Sequence, residues 1–191
     1  MVRWGRCPIT SLNLGLFQPD VSVLWDLAPH DFSIMDHIFD EEPVHIEATG
    51  YCHVNPQLPD MVYVTAHFAS NMIAHLNLSW MSPVKVRRIA IGGSIQMAVW
   101  DDLNSEEPLK LYNSGIDFRQ EAERFDIVRN YRIGDIYSPG VPTREALAGV
   151  IEDFAQTIEL KSKSVIDGKR GVVLCVCCRL RKRRLIARCV N

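Results

Sequence analysis

The sequence lacks several features that would place it at once in a class of proteins. It has no apolar run of about 20 residues, the length that a membrane-spanning helix needs. No apolar core follows the first basic residues, so we expect no secretory signal and a cytoplasmic location. It also lacks the G-x-G-x-x-G turn, the G-x-x-x-x-G-K-[ST] loop and the G-x-S-x-G elbow. No membrane contact is therefore predicted, and no motif identifies a nucleotide site.

Acidic residues are missing from the end of the chain. After Gly168 there are eight Lys and Arg residues and no Asp or Glu, whereas the first 168 residues hold 13 basic and 23 acidic side chains. Because the body is acidic, we expect no nucleic-acid partner. The same end contains Cys175, Cys177, Cys178 and Cys189. Without a secretory signal, these cysteines do not predict a disulfide framework.

Residues 169–191 therefore form an atypical basic, cysteine-rich tail, for which three interpretations stay open. The abrupt change in composition favours a segment that is not native to the fold, such as a shifted reading frame would produce. An exposed basic tail that meets anionic lipid or nucleic acid is the second. A C-x-C-C metal site is the third, although no second Cys or His pair lies at a suitable spacing.

The histidines do not predict a metal site. All six lie between positions 30 and 75, without an H-x-H or H-E-x-x-H pair. A zinc site needs three or four converging ligands. His45, His67 and His75 alternate with the apolar residues of their segments, so we place them on the less buried face of a sheet.

Alternation of apolar and polar residues predicts a sheet. Three runs have a period of two and are joined by short links, which is typical of antiparallel strands; they cover residues 44–49, 62–68 and 72–80. Further strands are predicted at residues 86–91, 95–99, 109–112 and, as an edge strand, 127–133. Residues 1–20 contain several breakers and are predicted to be an irregular connector from a domain that precedes them.

Two segments have helical periodicity. The first follows Pro29, which suits the first position of a helix. The second begins at a Thr143 N-cap and ends near Lys161, because apolar residues recur on one stripe. The predicted fold class is α+β, with an open, mostly antiparallel β-sheet and helices packed on one face. The other face is left for solvent or another subunit.

Asp26 and His30 are the candidate catalytic residues. They lie where an apolar run is predicted to turn into the first helix. In the first turn, the positive end of the helix dipole would keep the His30 imidazole neutral and able to accept a proton. Asp26 could orient that ring or a substrate hydroxyl. Capping and packing are the alternative explanation for such a pair.

Several segments resemble one family in the same order. They are Asn13-Leu14-Gly15, residues 23–31 (VLWDLAPHD), residues 78–87 (LSWMSPVKVR), Trp100-Asp101-Asp102, and residues 134–139 (GDIYSP) with the helix that follows. Together they resemble the C-terminal domain of the Gfo/Idh/MocA oxidoreductases over roughly residues 10–168. The resemblance is greatest to the sugar and nucleotide-sugar dehydrogenase branch.

The resemblance implies a two-domain enzyme in which a Rossmann domain binds NAD or NADP. The C-terminal domain, here residues 21–168, binds substrate and forms homo-oligomers through its open sheet face. The family's D-x-x-x-H motif matches Asp26 and His30, where the histidine is the acid/base for the sugar hydroxyl. Tyr137 is a candidate substrate contact, with an ordinary loop tyrosine as the alternative.

The chain departs from the family in what it lacks. Neither the Rossmann domain nor its E-K-P motif is present, so the chain resembles a fragment. Alone, we expect it to be inactive and to bind no dinucleotide tightly. The predicted function is the substrate-binding and oligomerisation half of an NAD(P)-dependent oxidoreductase acting on a sugar-like hydroxyl. The alternative is a stand-alone binding or scaffold domain without catalysis.

Overall fold

The computed structural model describes residues 4–15, 17–116, 131–132, 134–142, 145–162, 164 and 185–189. Two helices occur in this part of the chain, α1 (Val23–Phe39) and α2 (Ala146–Leu160). The same residues contain eleven strands: β1 (Trp4–Leu14), β2 (Pro43–Cys52), β3 (Met61–Phe68), β4 (Ile73–Ser79), β5 (Met81–Gly93), β6 (Met97–Asp101), β7 (Leu109–Tyr112), β8 (Gly115–Ile116), β9 (Tyr131–Arg132), β10 (Ile136–Tyr137) and β11 (Leu185–Cys189).

One large open sheet dominates the described structure. Its nine strands lie in the order β10-β7-β6-β5-β1-β4-β3-β2-β11, and β8 pairs with β9 separately. The pairs β1–β4 and β2–β11 are parallel, while the other pairs in the large sheet are antiparallel. The α+β fold class and the open, mostly antiparallel sheet are therefore confirmed.

The period-two pattern determines which side of the central strands is buried. The predicted inward residues of β3 are all buried, and so are those of the β4 segment; they are Val62, Val64, Ala66 and Phe68, and Met72, Ala74, Leu76, Leu78 and Trp80. They form one core with the apolar side of α1. His45, His67 and His75 lie on the opposite, less buried face, as predicted.

The prediction of an irregular segment over residues 1–20 is wrong for residues 4–14. These residues form β1, which lies in the middle of the sheet between β4 and β5. Its buried side chains are Cys7, Ile9 and Ser11, a mixed set that gives little hydrophobic alternation. Pro8 also lies within β1, although proline lacks the N–H that a strand residue donates. Whether residues 1–20 also lead from another domain stays a prediction.

The predicted start of the first helix is wrong. The helix begins at Val23, so Pro29 lies inside it and His30 lies well beyond its first turn. Burial of Val23, Leu24, Leu27 and Ala28 explains why the helix tolerates a proline, which lacks the N–H for one helical hydrogen bond. Because dipole effects fade within the first turn, the helix dipole does not account for a neutral His30.

The two helices differ in how they meet the sheet. Helix α1 contacts β4 and β3 with its buried side. Helix α2 has no buried residue, and six of its apolar side chains are 61–72% exposed: Leu147, Val150, Ile151, Phe154, Ile158 and Leu160. The expected packing of helices on one sheet face is therefore seen for α1. The apolar side chains of α2 are not buried by any of the described residues.

Several predictions fall outside the described residues. They include Thr143 as an N-cap, most of the edge strand at 127–133 and most of the tail at 169–191. The N-cap of α2 is Glu145, without a side-chain capping bond. Neither helix of the described chain combines the length and apolarity needed to span a membrane.

Candidate functional site

The outer side of α1 presents Asp26 and His30. Both residues are exposed, while the opposite side of the helix is buried on the sheet. Residues four apart in a helix are neighbours on its surface. The structure therefore brings the two predicted catalytic residues together, on a surface that a substrate can reach. The imidazole is not sealed in the core.

The buried Trp80 indole forms a hydrogen bond with the Asp26 carboxylate. The Trp80 side chain is 2% exposed, and its indole N–H donates a hydrogen bond to Asp26 Oδ2 at 2.9 Å. A hydrogen bond to a charged acceptor is about twice as strong as one between neutral groups. The Trp80 backbone N–H also donates to the Asp60 carbonyl at 3.0 Å, which fixes the residue just after β4.

The segment after β1 packs against the same indole. The Gly15 N–H donates to the Trp80 carbonyl at 3.2 Å, and a Cβ at Gly15 would lie 2.5 Å from Trp80 Cδ1. The Phe17 ring meets the indole edge-on, with ring centroids 5.8 Å apart. Asn13 Oδ1 is buried without a hydrogen-bond partner among the described residues. Only glycine fits at position 15 without displacing the indole.

A buried aspartate accepts hydrogen bonds within the turn between β2 and β3. Asp60 is 1% exposed, and its carboxylate accepts hydrogen bonds from the backbone N–H groups of His53 (2.7 Å) and Val54 (2.9 Å). His53 Nδ1 lies 2.7 Å from Asp60 Oδ1. Burial would raise the pKa of Asp60, but the hydrogen bonds from His53 and Val54 lower it below its ordinary value. The carboxylate therefore stabilises this turn in its charged form.

The same turn supports the start of α1. The Val23 N–H donates to the Pro59 carbonyl at 3.1 Å, so one of the helix's unpaired N-terminal donors is satisfied by the turn. Ser22 precedes the helix without a side-chain capping bond. The first turn of α1, which carries Asp26, is thus anchored by backbone groups from another element.

A second buried carboxylate, that of Asp31, lies on the side of α1 that faces the sheet. The Ser11 hydroxyl is 3.2 and 3.3 Å from the two carboxylate oxygens of Asp31, which follows His30 in sequence. Burial raises the pKa of the neighbouring Cys7 thiol to about 12, and the Asp31 charge adds to this shift. The contact between Ser11 and Asp31 fixes α1 to β1 on the side opposite His30.

Tyr137 lies far along the sheet from this pair. It belongs to β10 and is 62% exposed. Four strands, β7, β6, β5 and β1, separate β10 from β4, on which α1 packs. Among the described residues, no hydrogen bond joins Tyr137 to Asp26 or His30. Its role as a substrate contact stays a prediction.

The face of the sheet opposite α1 is open. On β2, β3 and β4 it carries His45 and His67, whose ring centroids are 5.7 Å apart, and His75, whose Nδ1 is 3.1 Å from Thr65 Oγ1. Towards β7 the same face forms a shallow groove of about 570 Å³, lined by Pro8, Thr10, Val86, Arg88, Ala90, Met97, Val99 and Tyr112. No group of three possible metal ligands is found among the described residues.

Sequence patterns did not identify Trp80, Asp60 or His53 as parts of this region. Trp80 was predicted only as an inward residue of a strand, and Asp60 as part of a turn. The hydrogen bond of Trp80 joins it to Asp26, which is 54 positions away. The hydrogen bond of His53 joins it to Asp60 across the turn between β2 and β3. The resemblance over residues 78–87 did include Trp80, and was the one available signal.

Comparison with known proteins agrees with this geometry. Residues 17–99 match the family model of the GFO/IDH/MocA C-terminal domain. No curated protein sequence matches the chain. The matched residues include the whole of α1, Trp80 and the turn at Asp60.

Solved structures share the fold. UDP-N-acetylglucosamine 3-dehydrogenase GnnA from Acidithiobacillus ferrooxidans superposes with a TM-score of 0.76 at 23% identity, covering 95% of this chain and 54% of that one. Aldose-aldose oxidoreductase from Caulobacter crescentus gives 0.70 at 11% identity, covering 95% and 53%. The chain thus spans about half the length of these structures. The match over residues 17–99 agrees with the resemblance drawn from the sequence, and the solved structures share the fold.

Proposed function

We propose that this chain is the substrate-binding part of an NAD(P)-dependent oxidoreductase that acts on a hydroxyl of a sugar, nucleotide sugar or related polyol. The observation that carries the proposal is the pairing of Asp26 with His30 on the outer side of a helix whose other side is buried. The names of the similar structures, a nucleotide-sugar dehydrogenase and an aldose oxidoreductase, support this substrate class.

His30 would accept the hydroxyl proton as the substrate is oxidised. A neutral imidazole can accept a proton from a hydroxyl, and the exposed His30 ring can reach a substrate. Asp26 would accept a hydrogen bond from a substrate hydroxyl, because the Trp80 indole bonds only Oδ2 and the residue is exposed. Together the two side chains would orient the substrate and take up its proton.

The described residues do not fit a dinucleotide. A Rossmann site needs a glycine-rich turn between a parallel strand and a helix, and the chain has no such motif. The parallel pair β1–β4 has no glycine-rich fingerprint at its ends. NAD or NADP would therefore be held by another domain.

Self-association through the open face belongs to the same proposal. This face combines an apolar groove near β6 and β7 with polar residues on β2 to β4. Tyr137 as a substrate contact is the least supported element, because it lies four strands from β4. A cytoplasmic location also stays a prediction. A scaffold domain is the alternative, in which Asp26 serves only to bond Trp80.

Binding to the chain itself tests the proposal. The ¹⁵N-labelled protein would be titrated separately with UDP-N-acetylglucosamine, glucose and myo-inositol, while the histidine side-chain resonances are recorded by NMR. We expect at least one compound to shift the His30 resonances and to leave those of His37 unchanged, since His37 is exposed near the other end of α1. Equal response of both histidines, or no response to any compound at millimolar concentration, would favour the scaffold alternative.

A further inference from the structure

Trp80 has a role that neither its burial nor its place at the end of β4 requires. An indole could fill the core without aiming its N–H at the surface of α1, yet that N–H meets Asp26 Oδ2 at 2.9 Å. We propose that Trp80 is a positioning residue, which holds the Asp26 carboxylate in one orientation beside His30. The functional meaning of this orientation rests on the proposed function of Asp26, but the positioning itself does not.

The geometry of the bond limits the freedom of an exposed side chain. Tryptophan has a single donor and no acceptor, so the indole can engage the carboxylate in only one sense. A surface aspartate ordinarily samples several rotamers. Because one oxygen is fixed by a charge-assisted bond to a buried ring, the other oxygen is directed by the protein and not by solvent. The bond thus sets where a substrate hydroxyl can meet Asp26.

Trp80 is itself held in place by three residues. Its backbone N–H bonds the Asp60 carbonyl, its carbonyl accepts from the Gly15 N–H, and Phe17 packs against its ring. The indole packs so closely on Gly15 that a Cβ at this position would lie 2.5 Å from Trp80 Cδ1. The orientation of Asp26 therefore depends on Gly15 and Phe17 as well as on Trp80. These residues link the end of β1 to the polar side of α1.

The first test measures the orientation of Asp26 without any substrate. In the full ¹³C,¹⁵N-labelled chain, three-bond couplings across the Asp26 N–Cα–Cβ–Cγ bonds report whether χ1 is fixed. We expect one rotamer in the unmodified chain and averaging between rotamers in Trp80→Phe, which keeps a large ring but removes the N–H. Trp100→Phe is the matched control, because Trp100 is also packed against the core and is not bonded to Asp26. Unchanged couplings in Trp80→Phe would overturn the proposal.

A second variant keeps the test decisive if Trp80→Phe does not fold. Asp26 is exposed, so Asp26→Ala should leave the core intact. Loss of a hydrogen bond to a charged group should speed exchange of the Trp80 indole N–H by about tenfold, with the Trp100 indole unchanged. An unaltered exchange rate would show that the bond does not persist in solution, and would overturn the proposal. Neither readout involves sugar binding, so a failure of the proposed function would be seen separately in the His30 titration.

Discussion

Both helices have an apolar stripe, but only the stripe of α1 is buried within the described structure. Helix α1 places its apolar side on β3 and β4, and its first turn is anchored by the Pro59 carbonyl. Helix α2 has an equally regular apolar stripe that is exposed along its length. Periodicity therefore predicts a helix and the side that needs burial, but it does not identify the surface that provides the burial.

This difference explains why the candidate site is on α1. A helix fixed along one side can hold polar groups on its other side in a defined position, as catalysis requires. Asp26 and His30 lie on the exposed side of α1, and the Trp80 indole N–H donates a hydrogen bond to Asp26. Helix α2 lacks such a buried side, because none of its residues is buried within the described structure.

The largest expected difference between the surroundings of the two helices is in the rate of thiol alkylation. Cys7 lies under α1 with a pKa of about 12, whereas Ile151 on α2 is exposed. At pH 8, Cys7 should react with iodoacetamide about three orders of magnitude more slowly than the cysteine of an Ile151→Cys variant, because its thiolate is so scarce. Rates would be measured for each peptide by mass spectrometry. Similar rates would mean that α1 does not cover Cys7.

Truncation of a buried ring on α1 should have the next largest effect. Phe32 is 3% exposed and faces the sheet. Phe32→Ala should lower the free energy of unfolding by about 3–5 kcal/mol, because it leaves a cavity under the helix. Urea denaturation followed by circular dichroism measures this quantity. A loss below about 1 kcal/mol would place Phe32 outside a tightly packed core.

Removal of the Asp60 charge should weaken the anchor of α1 by a smaller amount. Asp60→Asn should cost about 1–3 kcal/mol at pH 7, because the buried N–H groups of His53 and Val54 lose a charged acceptor. The folded-state pKa of Asp60 is lowered. Its contribution is therefore complete above the unfolded value of about 3.9 and is lost as pH falls through the folded value.

The pH dependence separates this effect from a packing defect. The difference in unfolding free energy between the unmodified chain and Asp60→Asn should shrink as pH falls below about 3.9. It should disappear only below the folded-state pKa of Asp60, where the unmodified carboxylate is also protonated. Asp102→Asn is the control, because Asp102 is an exposed carboxylate 3.4 Å from Arg87. A constant difference between the unmodified protein and Asp60→Asn at every pH would contradict the proposed role of the charge.

The smallest effect is expected on α2. Phe154 is 67% exposed, so Phe154→Ala should change the free energy of unfolding by no more than about 0.5 kcal/mol. The same urea experiment measures it beside Phe32→Ala. A loss comparable to that of Phe32→Ala would show that the α2 stripe is buried in solution by another part of the chain or by a second copy.

Regular elements with strong local patterns were predictable from the sequence. Strands β2, β3 and β4 follow period-two runs closely, and β7 has the predicted bounds, Leu109–Tyr112. These successes depend on contacts that are local in sequence. The local pattern and the family resemblance both indicate Asp26 and His30, whose catalytic role stays a prediction.

The failures come from contacts that are distant in sequence. Strand β1 was missed because its partners, β4 and β5, compensate for Pro8 and for a weakly apolar inward side. The start of α1 was placed too late because burial of Val23 and Leu24 overrides the local signal of Pro29. The bond between Trp80 and Asp26 spans 54 residues, so no local pattern contains it.

The most direct test of the account is the rate of a reconstituted enzyme that carries His30→Ala. The part of the Acidithiobacillus ferrooxidans dehydrogenase that this chain does not cover would be joined to this chain, and reduction of NAD or NADP would be followed with UDP-N-acetylglucosamine. Since general acid–base catalysis contributes about 10²–10⁴-fold, His30→Ala should lower kcat by at least that lower limit, while His37→Ala should change it less than about twofold. Equal kcat values for His30→Ala and the unmodified enzyme would contradict the assignment of His30 as the proton acceptor.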